Sequence, residues 1–308
     1  MAVEVGRDGE GGGACQKDDD YNDYGDEDTE AQDEDEEYLE LAPSTVFQFQ
    51  QLHSNLLNPI LPLKWGKETG SERFKFIVQI YDPQFVGVGS LINNRFVITA
   101  AHCFTSQTKL QSISVRAGEL KIVNQFKGGY KVLAILRHPK YSSQELGHDI
   151  ALLRLKSPIA ATTRIGYTSI CPSKLRADEN AVALTAGWNI LKPSDLMQTL
   201  DIKIISPRKC IKSFPQLPRG TICGTTEFTH SRHDAIHDLK NSSSLCYGDS
   251  GDPLLYNNQI CAITIAFHRC GWIKHPNIYT DLHFHHKFIS HAISKLDFQA
   301  KEMAKKRG

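Results

Sequence analysis

An all-β fold is what the sequence predicts, and three observations predict it. Short β-branched runs recur from about Phe74 onward, turn-forming residues separate them, and the period turns helical only near the C-terminus. Many short strands at this spacing indicate a barrel or a sandwich.

The strands read, in order, Phe76–Ile80, Val86–Ile92, Arg95–Thr99, Ile113–Ala117, Tyr130–Arg137, Ile150–Leu155, Val182–Ala186, Leu200–Ile205, Pro253–Tyr256, Ile260–Ala266 and Asn277–Asp281. After them Phe284, Phe288, Ala292, Ile293 and Leu296 fall at helical spacing, the pattern of an amphipathic helix docked on the barrel. Lys295 to Gly308 is charged enough to fray beyond it.

Charge divides the chain. Residues 1–42 hold 17 Asp and Glu against two basic residues, Arg7 and Lys17, whereas residues 43–308 hold 33 Lys and Arg against 18 acids. A formally neutral chain is therefore an acidic tail on a basic body. Lys17–Leu41 has few large aliphatic residues and is expected to stay solvated and disordered. Its Tyr21, Tyr24 and Tyr38 sit among acids, a context that resembles tyrosine sulfation sites in secreted chains. A plain solvating spacer, or a tail resting on the basic body, fits the same composition. Prolines 43, 59 and 62 with Gly66 and Gly70 break any regular run. The domain plan is thus an acidic disordered tail at 1–42, a linker or propeptide-like segment at 43–62, a body at 63–296 and a basic tail at 297–308.

No apolar run approaches the ~18–20 residues needed to span a membrane. Met1 to Ala14 lacks the basic start and apolar core of a signal peptide. The eight Cys show no C-x-x-C pair, which favours disulfides over zinc. Disulfides imply an oxidising compartment, so the missing signal suggests an incomplete or unusual N-terminus. Neither a membrane nor a nucleic acid is an expected partner; a nuclear protein with an acidic tail would keep its thiols reduced.

The chemistry gathers around Ser244-Leu245-Cys246-Tyr247-Gly248-Asp249-Ser250-Gly251-Asp252-Pro253. A Ser among small residues on a tight turn can expose its hydroxyl, and adjacent backbone N–H groups can face a developing oxyanion. A hydroxyl alone is a poor nucleophile at neutral pH, so a base and a group that orients it are required. Thr99-Ala100-Ala101-His102-Cys103 offers a His after an apolar strand, and Gly147-His148-Asp149-Ile150-Ala151 an Asp before another. Singly, each is an ordinary residue: a core His, a turn Asp, a loop Ser.

In the chain order His, Asp, Ser, these segments resemble the trypsin/chymotrypsin family of serine proteases. Further matches in order are Gly89-Ser90-Leu91-Ile92, His138-Pro139-Lys140-Tyr141, Ala186-Gly187-Trp188 and Pro276-Asn277-Ile278-Tyr279-Thr280, so the resemblance covers about residues 63–296. It implies two packed six-stranded antiparallel barrels with the site between them, and a C-terminal helix. It also implies Ser250 as nucleophile, His102 as general base, Asp149 as the group orienting it, and Gly248 and Ser250 N–H groups as oxyanion hole. The family's substrates are proteins or peptides, protease inhibitors are natural partners, secretion is usual and no cofactor is needed. No metal is expected: Glu119 stands where calcium-binding members begin an acidic loop, but Lys121 to Tyr130 supply no second carboxylate.

Departures from the family pattern bear on activity. Active members release an aliphatic N-terminus whose ammonium pairs with the Asp before the nucleophile, here Asp249. The aligned residue is Leu63 in Pro62-Leu63-Lys64-Trp65, and no basic residue precedes it. Ser244 lies at the pocket base without a carboxylate to pair with Lys or Arg, and Phe267 and Asn277 stand at wall positions that are usually Gly. Trypsin-like specificity is therefore not expected, and a small apolar residue before the scissile bond suits the narrowed pocket. Ile265-Ala266-Phe267 replaces the family's Ser-Trp-Gly run, and Asp252 replaces a Gly. Such accumulation resembles the non-catalytic homologues of the family. Two readings follow: a serine endopeptidase with eroded activation and specificity elements, or an inactive homologue acting as a binding or regulatory protein.

The resemblance also implies the bridges Cys246–Cys270 and Cys210–Cys223. Cys171 matches the cysteine that links catalytic domain to propeptide, with Cys15 its one available partner there. Cys103 lacks its usual partner because Gly87 takes that place, and Ala183 and Tyr256 occupy both ends of another bridge. Cys103 and Cys261 are left as free thiols or an unfamiliar pair. Between Cys223 and Cys246 a long loop carries His230, His233 and His237, which on a helix would share a metal-binding face and in a solvated loop would not. Asn241-Ser242-Ser243 in it is a glycosylation sequon. His283, His285, His286 and His291 are expected on the solvent face of the terminal helix.

Overall fold

The computed structural model describes residues 4–5, 67–68, 71–122, 128–176, 182–188, 196–226, 249–266 and 276–306. The first six strands are β1 (Ile77–Asp82), β2 (Gln84–Leu91), β3 (Phe96–Thr99), β4 (Ser114–Ala117), β5 (Tyr130–Arg137) and β6 (Ala151–Leu155). Antiparallel pairing runs β4–β1–β2–β3–β6–β5 and returns from β5 to β4, closing a six-stranded barrel. The second set is β7 (Val182–Gly187), β8 (Gln198–Ile205), β9 (Thr221–Thr226), β10 (Pro253–Tyr256), β11 (Gln259–Ala266) and β12 (Asn277–Asp281). It closes in the same way, β7–β8–β9–β12–β11–β10 and back to β7.

Alternation explains which faces are buried. In β5 the inward residues Val132, Ala134 and Leu136 are buried while their neighbours are partly exposed. In β8, Leu200, Ile202 and Ile204 play the same part. All five residues of β6 are buried, because the C-terminal helix covers its outer side. That helix, α2 (His286–Lys305), buries Phe288, Ile289, Ala292 and Leu296. Arg154 of β6 reaches through to donate from Nε to Asp297 Oδ1 at 2.9 Å.

All eleven strands expected from the sequence are present, with ends displaced by at most two residues. Sequence reasoning missed β9, whose central Gly224 reads as a strand breaker. Here Gly permits close approach: a Cβ on Gly224 would lie 2.3 Å from Ile202 Cγ2 on β8. The one-turn helix α1 (Pro207–Ile211) was also not anticipated.

Three expectations are corrected. The segment expected to fray after Leu296 is helical through Lys305, so the boundary at 297 falls inside α2. Its Lys, Gln, Ala, Glu and Met residues are strong helix formers, and Lys305 pairs with Glu302 at 2.8 Å. Glu4–Val5, within the tail expected to be disordered, forms a two-residue antiparallel strand opposite Ile135 and Ala134 of β5.

The third concerns cysteines. Cys171 is bonded to Cys261, not to Cys15. A parallel bridge pairs Ile170 with Ile260, and Cys171 N–H donates to Ile260 O at 2.9 Å, which sets the next residues of both segments side by side. Their Cα atoms are 4.8 Å apart, within disulfide reach. Cys210–Cys223 is formed as expected. Cys103 is the one free cysteine among the described residues, and a Cβ on Gly87 would lie 3.1 Å from its Sγ, the place where a partner cysteine would stand. Cys15, Cys246 and Cys270 lie outside the described residues, as do the loop histidines, the sequon and the tyrosines of the tail. Among the described residues no helix is long and apolar enough to cross a membrane.

Candidate active site

Each barrel contributes to one constellation. His102 sits on a single helical turn, Ala101–Cys103, directly after β3. Asp149 stands two residues before β6, and Ser250 lies on the turn that leads into β10. His102 Nδ1 stands 2.6 Å from Asp149 Oδ2, and His102 Nε2 stands 2.7 Å from Ser250 Oγ. The backbone N–H of His102 donates to the other carboxylate oxygen, Oδ1, at 2.9 Å. With Asp149 ionised, Nδ1 carries the proton and Nε2 presents its lone pair to the Ser250 hydroxyl.

The turn around Ser250 is stitched to the first barrel. Val88 N–H donates to Ser250 O at 2.8 Å, and Thr99 Oγ1 donates to Val88 O at 2.7 Å. Gly251 is required there: its φ is +83°, and a Cβ would lie 2.0 Å from Val88 O. Behind it, Gly251 N–H donates to Thr264 O at 2.9 Å, tying the turn to β11. Thr280 of β12 donates from Oγ1 to Asp149 O at 2.8 Å, so the second barrel also braces the acid. Sequence reasoning quoted Thr280 within a motif but gave it no role.

Electrostatics follow from burial and from Asp149. Burial favours neutral His102, but the Asp149 charge and hydrogen bond outweigh it and hold the imidazole above its usual pKa of 6.5. Burial, with the Asp149 charge added, pushes the Cys103 thiol up to about 12. It is inert, not a second nucleophile.

Asp249 and Asp252 are both fully buried. Among the described residues, neither carboxyl oxygen of Asp252 has a hydrogen-bond partner. Desolvation first, then the neighbouring Asp249 charge, raises the Asp252 pKa well above 3.8. Asn277, expected on the pocket wall, is 5% exposed within β12. Ser244, Gly248, Phe267 and Leu63 lie outside the described residues.

A second cluster adjoins the first. His138, His148 and His285 each offer one ring nitrogen, and these three atoms lie within 4.8 Å of one another. His285, expected on the solvent face of the helix, is instead 2% exposed at its N-cap, because its Nδ1–H donates inward to Asp281 O at 2.7 Å. Burial lowers the pKa of His138 to about 3, helped by His148, His285 and Lys140, and that of His285 to about 4. His148 is lowered also, chiefly by burial.

Two closed barrels with a serine–histidine–aspartate chain at their junction define a serine protease of the chymotrypsin fold. The Trypsin family pattern matches residues 64–289, and the chain belongs to that family. It is 30% identical over 202 residues to Serine protease 1 of Rattus norvegicus, covering 62% of this chain and 74% of that protein. To the anionic trypsin of Bos taurus it is 33% identical over 201 residues, covering 62% of this chain and 73% of that protein. The solved structure of neuropsin, a serine protease expressed in mouse brain, superposes with a TM-score of 0.61 at 22% identity, covering 75% of this chain and 99% of that one. That likeness bears on the fold. The chain is a trypsin-like serine endopeptidase by family.

Proposed function

We propose that the protein hydrolyses peptide bonds through Ser250, His102 and Asp149. The observation that supports this reading most is the continuous hydrogen-bond chain from Asp149 Oδ2 through the His102 ring to Ser250 Oγ. Ser250 Oγ attacks the scissile carbonyl carbon as His102 Nε2 takes its proton, and the carbonyl oxygen becomes an oxyanion facing the Ser250 and Gly248 N–H groups. The proton passes from Nε2 to the leaving amine, and an acyl-serine forms. Water then repeats the sequence, releasing the carboxylic acid and restoring the hydroxyl.

Activity is proposed to be weaker than in the trypsins. Asp252 adds a buried carboxyl beside Asp249, and no acid stands at Ser244 to draw a basic substrate side chain. Trypsin-like proteases act on proteins or peptides and are bound by inhibitors; we extend both partner classes, and secretion, to this chain. The second reading, an inactive homologue that binds without cutting, is favoured by Asp252 and by the Ile265-Ala266-Phe267 run. A fluorophosphonate probe separates the two. Covalent uptake by the processed protein, lost in Ser250→Ala, is the expected result; no uptake after processing supports the binding protein.

A further inference from the structure

We propose that His138, His148 and His285 form a site for a zinc ion, which clamps the loop carrying Asp149 to the cap of the C-terminal helix. The three residues come from separate places. His138 follows the end of β5, His148 precedes β6, and His285 caps α2. Zinc favours imidazole nitrogens, and three protein ligands with one open position is a common coordination.

Donor geometry supports the assignment. Tetrahedral bonds of about 2.0–2.1 Å place ligand nitrogens roughly 3.3–3.4 Å apart. His148 Nδ1 and His285 Nε2 already lie 3.2 Å apart. Because Nδ1–H of His285 is committed to Asp281 O, its Nε2 holds a free lone pair facing the cluster. A ligand histidine steadied by a backbone carbonyl on its other nitrogen is the usual outer arrangement of metal sites. The His148 proton that lies between the two rings moves to Nε2 or to solvent when a metal takes its place.

His138 completes the set with modest movement. Its ring stacks on His148 at 4.4 Å and 9°, while His285 stands nearly perpendicular to both. Binding splays the stacked pair and releases the 3.2 Å contact from Lys140 N–H to His138 Nδ1, whichever His138 nitrogen coordinates.

Backbone strain marks the same spot. His148 has φ 57°, a left-handed conformation that is uncommon outside Gly although His, like Asn and Asp, adopts it more readily than most residues, and its carbonyl accepts from Ile150 N–H at 2.8 Å. A bent loop that turns one imidazole back onto two others is what a clamp requires.

The site does not depend on proteolytic activity, so the test uses the full chain carrying Ser250→Ala. Zinc is titrated against a chromophoric chelator, and thermal melting is followed with and without the metal. One equivalent and a higher Tm are expected. Affinity should fall by more than the about 10–100-fold that loss of an outer-shell partner costs, in His138→Ala and separately in His148→Ala. Both are partly exposed, and their melting without zinc verifies that they fold. A variant with His230, His233 and His237 all changed to Ala should bind as before. No zinc uptake, undiminished affinity in both single variants, or loss of the equivalent in the loop variant would overturn the proposal.

Discussion

Asp252 is packed against Gly187 so closely that a Cβ on Gly187 would lie 2.1 Å from each of its carboxyl oxygens. The Gly ends β7 just before Trp188, and the Asp follows the turn that carries Ser250. The acid that stands where the resemblance expects a Gly thus lies directly against Gly187. Gly187→Ala is expected to destabilise the fold by roughly 1–3 kcal/mol as an overpacked core site, read from denaturant midpoints.

The charge of Asp252 makes a separate prediction. Its native pKa lies well above the 3.8 of the free carboxyl, so between those two values the native state holds a proton that the unfolded chain has released. Stability therefore contains a contribution that is complete below about pH 3.8 and declines as pH rises through the native value. Asp252→Asn should flatten this decline. Denaturant unfolding across pH 4–8 measures it; an unchanged slope would show that Asp252 does not hold the proton.

A pH profile tests His102. Attack requires its neutral form, and the net effect of Asp149 is to hold the imidazolium to higher pH than a free histidine. The acid limb of kcat/KM, or of fluorophosphonate labelling, should have its midpoint above 6.5. A limb below 6.5 would mean that desolvation outweighs the Asp149 charge. For stability the sign is opposite to that of activity: the contribution from the His102–Asp149 pair is full below the unfolded value near 6.5 and fades as pH rises through the native one.

How much of this was legible follows from the range over which each signal acts. Period-two alternation is local, so β5, β10 and β12 could be read to the residue from Tyr130, Pro253 and Asn277. That His102, Asp149 and Ser250 belong together was legible because each carries a local motif, and their side chains are hydrogen-bonded in series. Partners across space were not: nothing near Cys171 indicates Cys261, 90 residues away, until Ile170 and Ile260 pair. His285 misled for a related reason. Helical spacing describes one face of α2, but His285 is its cap, and a cap side chain follows the preceding turn through Asp281 rather than the face.

The Cys171–Cys261 bridge gives a prediction from chain entropy. It closes a loop of 90 residues, for which cross-linking the unfolded chain is worth about 2–5 kcal/mol. Replacing both by Ser should lower stability by that amount, while Cys15→Ser should leave it unchanged. Intact mass and non-reducing peptide mapping should recover a 171–261 linked pair. A 15–171 pair would exclude the Cys171–Cys261 bridge.

Thr280 provides the last test, because its hydroxyl touches the backbone of Asp149 and nothing that reacts. Oγ1 donates to Asp149 O at 2.8 Å from a strand of the opposite barrel, fixing the acid's main chain while His102 engages its side chain. Thr280→Val preserves shape and removes the donor, leaving a buried carbonyl short of one partner, at a cost of about 1–3 kcal/mol. If the bond only stabilises the fold, Tm falls and the catalytic constants of the folded fraction stay unchanged. If it positions Asp149, kcat falls about fivefold to a hundredfold with KM nearly constant, since no substrate contact is lost. Thr280→Ser, which restores the hydroxyl, should recover kcat even where Tm remains below that of the parent, and failure of this rescue would remove Thr280 from the positioning role.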